Sequence, residues 1–151
     1  VGVDSDEHDE EAHITESADV RIAMHEKRLR KLELLKEAAL MPEPIEAVKG
    51  AKILVVTWGS NHGVLVEALR HIQDPSIAGL HFSQVYPLNP AAKKLFSKKK
   101  IVVMENNAIG QFADLLERDL GITVDERILK YDGSPFSVEE VTQRLKKILD
   151  I

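Results

Sequence analysis

The chain has 151 residues, 44% of them apolar, and a formal net charge of −5, which is enough for one domain with a core plus an appendage. It has no cysteine, so a disulfide framework, a thiolate nucleophile and any cysteine-ligated zinc or iron–sulfur cluster are excluded within this polypeptide. No run approaches the roughly 20 apolar residues of a membrane span, and the acidic balance offers no field to nucleic acid; the expectation is a cytoplasmic protein that engages neither.

Val1 to Asp19 holds eight acidic residues and no Lys or Arg, a composition that does not fold readily alone. Its start on Val1-Gly2-Val3 rather than methionine reads as a fragment or a subunit's tail. Ser17 suits an N-cap and Asp19 the positive end of a helix dipole. The recurrence of Ile22, Leu29, Leu32, Leu35 and Ala39 then predicts one amphipathic helix over about Ala18 to Leu40. That stripe is expected to pack on the following domain or on a preceding one. Pro42 and Pro44 end the helix and read as a short extended linker.

From about Val48 strand and helix alternate. Strands are expected at Lys52 to Thr57, near Leu80 to Val85, at Lys100 to Glu105 and near Thr123 to Lys130. Helices are expected at about His62 to Ile72, after Asn89-Pro90, at about Ile109 to Leu120, and from the Ser137-Val138-Glu139-Glu140 capping box to Leu149. The runs Ile53 to Val56 and Ile101 to Met104 lack polar alternation, as strands covered on both faces do. The pattern predicts an α/β, three-layer αβα sandwich with a mostly parallel sheet, preceded by an acidic strap and a long helix.

Ligands of such sheets sit at the carboxyl ends of the strands, where two polar turns fall. Gly59, Ser60, Asn61 and Gly63 form one candidate site for a ligand or a subunit contact. Their spacing is neither G-x-G-x-x-G nor a Walker pattern, so a tight strand-to-helix turn competes with an anion cradle. His62 has no second His or carboxylate at metal spacing and reads as a cap or surface residue. Glu105, Asn106 and Asn107 form the other candidate: a base or charge partner at the sheet edge, or caps for the next helix. Asp4 to Glu11 invites calcium, but the sixth position of the loop is Asp9 instead of Gly and the twelfth is Thr15 instead of Glu; a solvated acidic strap is expected. Lys98-Lys99-Lys100 reads as a solvated turn. No catalytic residue and no metal site is expected.

Several segments in this order resemble one family: Asp6 to Glu16, Lys27-Arg28-Leu29-Arg30-Lys31-Leu32, Trp58-Gly59-Ser60, Val85-Tyr86-Pro87-Leu88, Glu105-Asn106-Asn107 with Gly110-Gln111, and Leu129 to Phe136. They resemble the C-terminal part of the alpha subunit of 2-oxoacid:ferredoxin oxidoreductases. The resemblance implies a transketolase C-terminal-like domain at 45–151, with one reversed strand, and implies that 1–44 is the exit from a missing thiamine-diphosphate pyrimidine-binding domain. It implies a complex that converts a 2-oxoacid and coenzyme A to acyl-CoA and carbon dioxide, with electrons passing to ferredoxin. Thiamine diphosphate, magnesium and iron–sulfur clusters would lie on a beta subunit or on gamma and delta subunits, with none in this fragment, which would act as an assembly module. The sequence departs from many relatives at Ala12, where glycine is common. The competing expectation is an independent flavodoxin-like domain that binds a nucleotide or other anion.

Overall fold

A computed structural model describes residues 6–150; the beginning of the acidic strap, including Asp4, lies outside the described residues, as does Ile151. The chain divides into two compact units, parted between Ala38 and Ala39.

In the first unit, α1 spans Ala18–Ala38. Before it, the strap folds back on itself through a bridge between His8 and Ile14. The Asp9 side chain accepts the Glu11 and His13 amides at 3.0 and 2.9 Å. Ala12 turns this bend at a φ of +67°, in the left-handed region that a Cβ disfavours and glycine adopts freely. The strap is held to α1 by charge: Arg28 grips Glu7 with both Nη groups, at 3.1 and 2.6 Å, and Lys27 reaches Glu10 at 2.8 Å. Hydrogen bonds from the Arg28 guanidinium and the His8 amide hold the Glu7 carboxyl at a pKa of about 2, against an ordinary 4.5. The helix ends two residues before the expected Leu40. Within this unit its stripe does not form a buried face, since Ile22, Leu29 and Leu35 are 58%, 63% and 54% exposed and Met24 is the buried residue of α1.

The second unit is built on a five-stranded sheet in the order β1-β3-β2-β4-β5. Its strands are β1 (Glu43–Ile45), β2 (Ile53–Trp58), β3 (Ile77–Phe82), β4 (Lys100–Glu105) and β5 (Glu126–Leu129). β3, β2, β4 and β5 are mutually parallel, whereas β1 runs antiparallel to β3. The segment expected as a linker is therefore an edge strand. Pro44 is tolerated there because an edge strand can leave one side of its ladder without a donor. β3 begins and ends three residues earlier than expected. Gly79 in its middle is a packing position, because a Cβ there would lie 2.9 Å from the Ile45 Cβ and 3.1 Å from the Leu65 Cδ2.

Helices α2 (His62–Ile72) and α4 (Val138–Leu149) cover one face of the sheet, while α3 (Gln111–Leu120) and a 3₁₀ segment (Pro90–Phe96) cover the other. Strand alternation supplies both cores: Leu54, Val56, Leu80, Ile101 and Val103 face Phe112 and Leu116, whereas Val55, Val102, Met104 and Ile128 face Leu65, Val141 and Leu145. Ser137 caps α4 as its sequence predicts, its Oγ accepting the Glu140 amide at 3.1 Å. Lys99 and Lys100 are not free in their turn: Lys99 donates to the Ala51 carbonyl at 2.8 Å, and Lys100 pairs with Glu126 at 3.2 Å.

Candidate functional site

The chain leaves β2 toward β3 on one side and returns to β4 on the other, so the topological switch point of this sheet lies between β2 and β4, and the crevice at their carboxyl ends is where α/β sheets take ligands. Their pairing runs as far as Val56 opposite Val103. Beyond it, the buried Thr57 hydroxyl crosses to the Met104 carbonyl at 2.9 Å and ties the strands together at the floor of the crevice. Both candidate turns flank this point.

Glu105 is fully buried. Its Oε2 accepts the Phe112 amide at 2.9 Å and the Asn107 Nδ2 at 2.6 Å, and its Oε1 accepts the Ala113 amide at 3.1 Å. The Asn107 Oδ1 accepts the amides of Ile109, Gly110 and Gln111 at 3.2, 2.7 and 3.3 Å. Between them the two side chains take up amides of the first turn of α3, whose N-cap, Gly110, has no side chain to do so. Of the two roles open to this turn, capping is the one its hydrogen bonds perform. Asn106 is exposed. Arg127 on β5 straps the turn from outside, donating to the Ile109 carbonyl at 3.2 Å and pairing with Asp114 and Glu117 at 2.7 and 2.9 Å, and these two carboxylates, Asp114 foremost, raise its pKa. Gly110, at a φ of +75°, leaves room for that guanidinium, whose Nη1 lies 2.8 Å from where a Cβ would stand.

The opposite turn is a 3₁₀ segment, Gly59–Asn61, running directly into α2. Gly59 has a φ of +60°, Ser60 is exposed and Asn61 is buried. Gly63 lies within α2, and a Cβ there would meet nothing within 4 Å. Trp58, the last residue of β2, packs against Phe112 with ring centroids 6.2 Å apart, so the two turns share one hydrophobic contact.

A third group lies beside the Gly59 turn. His81 on β3 stands opposite Glu43 on β1 in the sheet register, and its ring lies 4.7 Å from that of His62 at the start of α2. One ligand atom from each of Glu43, His62 and His81 lies within 4.8 Å of the others. His81 is 8% exposed; its Nε2 lies 3.0 Å from the Gly59 carbonyl oxygen, and its Nδ1 is buried without a hydrogen-bond partner. An orphaned buried polar atom costs roughly 1–3 kcal/mol. The sequence reading of His62 as a residue without metal partners missed this group because the partners come from separate strands, 19 residues before and after it, and not from its own helix.

No protein-family model matches the chain. The 2-oxoacid:ferredoxin oxidoreductase subunit alpha of Saccharolobus solfataricus is 30% identical over an alignment of 151 residues, covering 95% of this chain and 24% of that protein. The 2-oxoacid:ferredoxin oxidoreductase 1 subunit alpha of Sulfurisphaera tokodaii is 33% identical over 149 residues, covering 95% of this chain and 23% of that protein. Among solved structures, a 2-oxoglutarate:ferredoxin oxidoreductase from Magnetococcus marinus, with 2-oxoglutarate, coenzyme A and succinyl-CoA bound, is similar at a TM-score of 0.78 and 26% identity, over 93% of this chain and 25% of that one. The chain spans about a quarter of the length of the relatives it matches. The resemblance read from the sequence is thus found along nearly the whole chain, and the fold is the expected sandwich of the transketolase C-terminal type.

Proposed function

We propose that this chain is the C-terminal portion of the alpha subunit of a thiamine-diphosphate-dependent 2-oxoacid:ferredoxin oxidoreductase and serves there as an assembly module. The complex would convert a 2-oxoacid and coenzyme A to acyl-CoA and carbon dioxide, with a beta subunit as the immediate partner and ferredoxin as the electron acceptor. The observation that carries this reading is the similarity to alpha subunits over 95% of the chain.

The residues present do not fit an iron–sulfur cluster. An iron–sulfur cluster needs thiolates, and the chain has no cysteine. The buried carboxylate beside the switch point, Glu105, is bonded to the Asn107 amide and the α3 backbone. No chemical step is therefore assigned to this chain; its turns contribute shape. Glu105 and Asn107 fix the start of α3, and Trp58 on Phe112 fixes the Gly59 turn against it. Rigid turns at a sheet edge suit the positioning of neighbouring chains around a cofactor that the protein holds elsewhere.

The test is reconstitution. The chain, supplied with a beta subunit and an alpha subunit lacking the corresponding segment, should restore 2-oxoacid- and coenzyme A-dependent reduction of methyl viologen. The chain alone should give no turnover. Decarboxylation without the beta subunit, or no co-elution with these partners, would contradict the proposal. The crevice at the switch point also favours a second reading, an independent flavodoxin-like domain for a nucleotide or other anion. Saturable binding of a nucleotide by the isolated chain would support that reading.

A further inference from the structure

We propose that Glu43, His62 and His81 form a binding site for a divalent cation of the zinc class. The three residues belong to β1, the start of α2 and β3, and the fold brings a ligand atom of each within 4.8 Å of the other two. The antiparallel register sets Glu43 opposite His81, and the 3₁₀ turn after β2 delivers His62 to the same corner, its ring 4.7 Å from that of His81.

The buried histidine shows the chemistry. A carbonyl oxygen only accepts, so the 3.0 Å contact between the His81 Nε2 and the Gly59 oxygen assigns the proton to Nε2 and leaves a lone pair on Nδ1. That Nδ1 is buried and has no hydrogen-bond partner. Metal-ligating histidines commonly show this arrangement: one ring nitrogen donates to a backbone carbonyl, which fixes tautomer and orientation, while the other faces the cation. The Glu43 and His62 side chains are exposed and make no hydrogen bond or ion pair among the described residues, so neither must give up a partner to bind.

Two imidazoles and one carboxylate match zinc and its neighbours in the transition series, whereas calcium and magnesium take all-oxygen shells. Tetrahedral zinc with bonds of about 2.0–2.1 Å spaces its ligands about 3.3 Å apart. The two exposed side chains would close inward on the anchored His81, with water as the fourth ligand. This site does not depend on the function proposed above, and a failure of either leaves the other standing.

The experiment titrates the tag-free 151-residue chain with zinc chloride by calorimetry and with cobalt chloride by visible absorption. We expect one equivalent bound at micromolar concentrations and tetrahedral cobalt bands. Glu43→Gln and His62→Ala should each weaken uptake at least tenfold while the circular dichroism stays unchanged, because both residues are exposed. His13→Ala, which alters the histidine paired with Asp9 in the strap, should leave uptake unchanged. Long-range nitrogen–proton NMR should show His81 protonated at Nε2, with the zinc-induced shift at Nδ1. Absence of saturable uptake, full uptake in both variants, or loss of uptake in His13→Ala alone would overturn the proposal.

Discussion

Replacing Glu105 by Gln separates a capping carboxylate from a catalytic one. The two side chains have nearly the same shape, but the amide keeps one acceptor oxygen and places two N–H donors where the other stood. If the oxygen stays with the Phe112 amide and Asn107, the new NH₂ group faces the Ala113 amide, which now sits 3.1 Å from the carboxylate oxygen. One hydrogen bond is then lost in a way that orphans a buried backbone N–H, which costs roughly 1–3 kcal/mol. The expected destabilisation of Glu105→Gln is about 1–3 kcal/mol, seen as a fall of about 0.5–1.5 M in the urea midpoint with little change in slope. Trp58 is the single tryptophan and packs on Phe112 in the first turn of α3, so its fluorescence reports unfolding at the site of the change. A loss below about 0.5 kcal/mol, within the range of ordinary surface substitutions, would refute the capping role and return Glu105 to the candidates for proton transfer.

Gly79→Ala should destabilise the second unit by about 1–3 kcal/mol in thermal or urea unfolding, because its Cβ would press on Ile45 and Leu65. Gly63→Ala should be neutral or stabilising by up to about 1 kcal/mol, since it lies in α2 with open space around it. Ala12→Gly should relieve the left-handed strain at the bend of the strap, by up to about 1 kcal/mol, with slower hydrogen exchange at the Glu11 and His13 amides as the readout. Glu7, whose pKa is lowered to about 2 from 4.5 in the unfolded chain, favours the strap's docking on α1 fully above pH 4.5. That contribution fades as pH falls toward about 2, and an NMR titration of the Arg28 side chain should follow it in the native chain and lose it in Glu7→Gln.

The strands that position the site are the ones the sequence displays best. β2 and β4 are apolar on both faces, and the run of Val and Ile that marks them also makes them the centre of the sheet. β3 is less legible because a glycine, Gly79, stands in its middle, and only the approach of Ile45 from β1 explains it. β1 is masked by Pro42 before it and Pro44 within it, which read as breakers in a linker, although Pro44 is admissible on a sheet edge. At the site, the capping of α4 by Ser137 is a local motif and legible. The capping of α3 by Glu105 is one of the two roles the sequence leaves open, and the sequence alone does not choose between them because the bonds span seven and eight residues, a pattern with no short signature. The Glu43, His62 and His81 group exists only once the sheet has ordered β1 beside β3 and turned β2 into α2.

The measurement that bears most directly on the account is a calorimetric titration of the isolated chain with thiamine diphosphate in the presence of magnesium. A module whose carboxylate is committed to helix α3 should give no saturable heat, with binding appearing only after a beta subunit is added. Micromolar binding of thiamine diphosphate by this chain alone would contradict it.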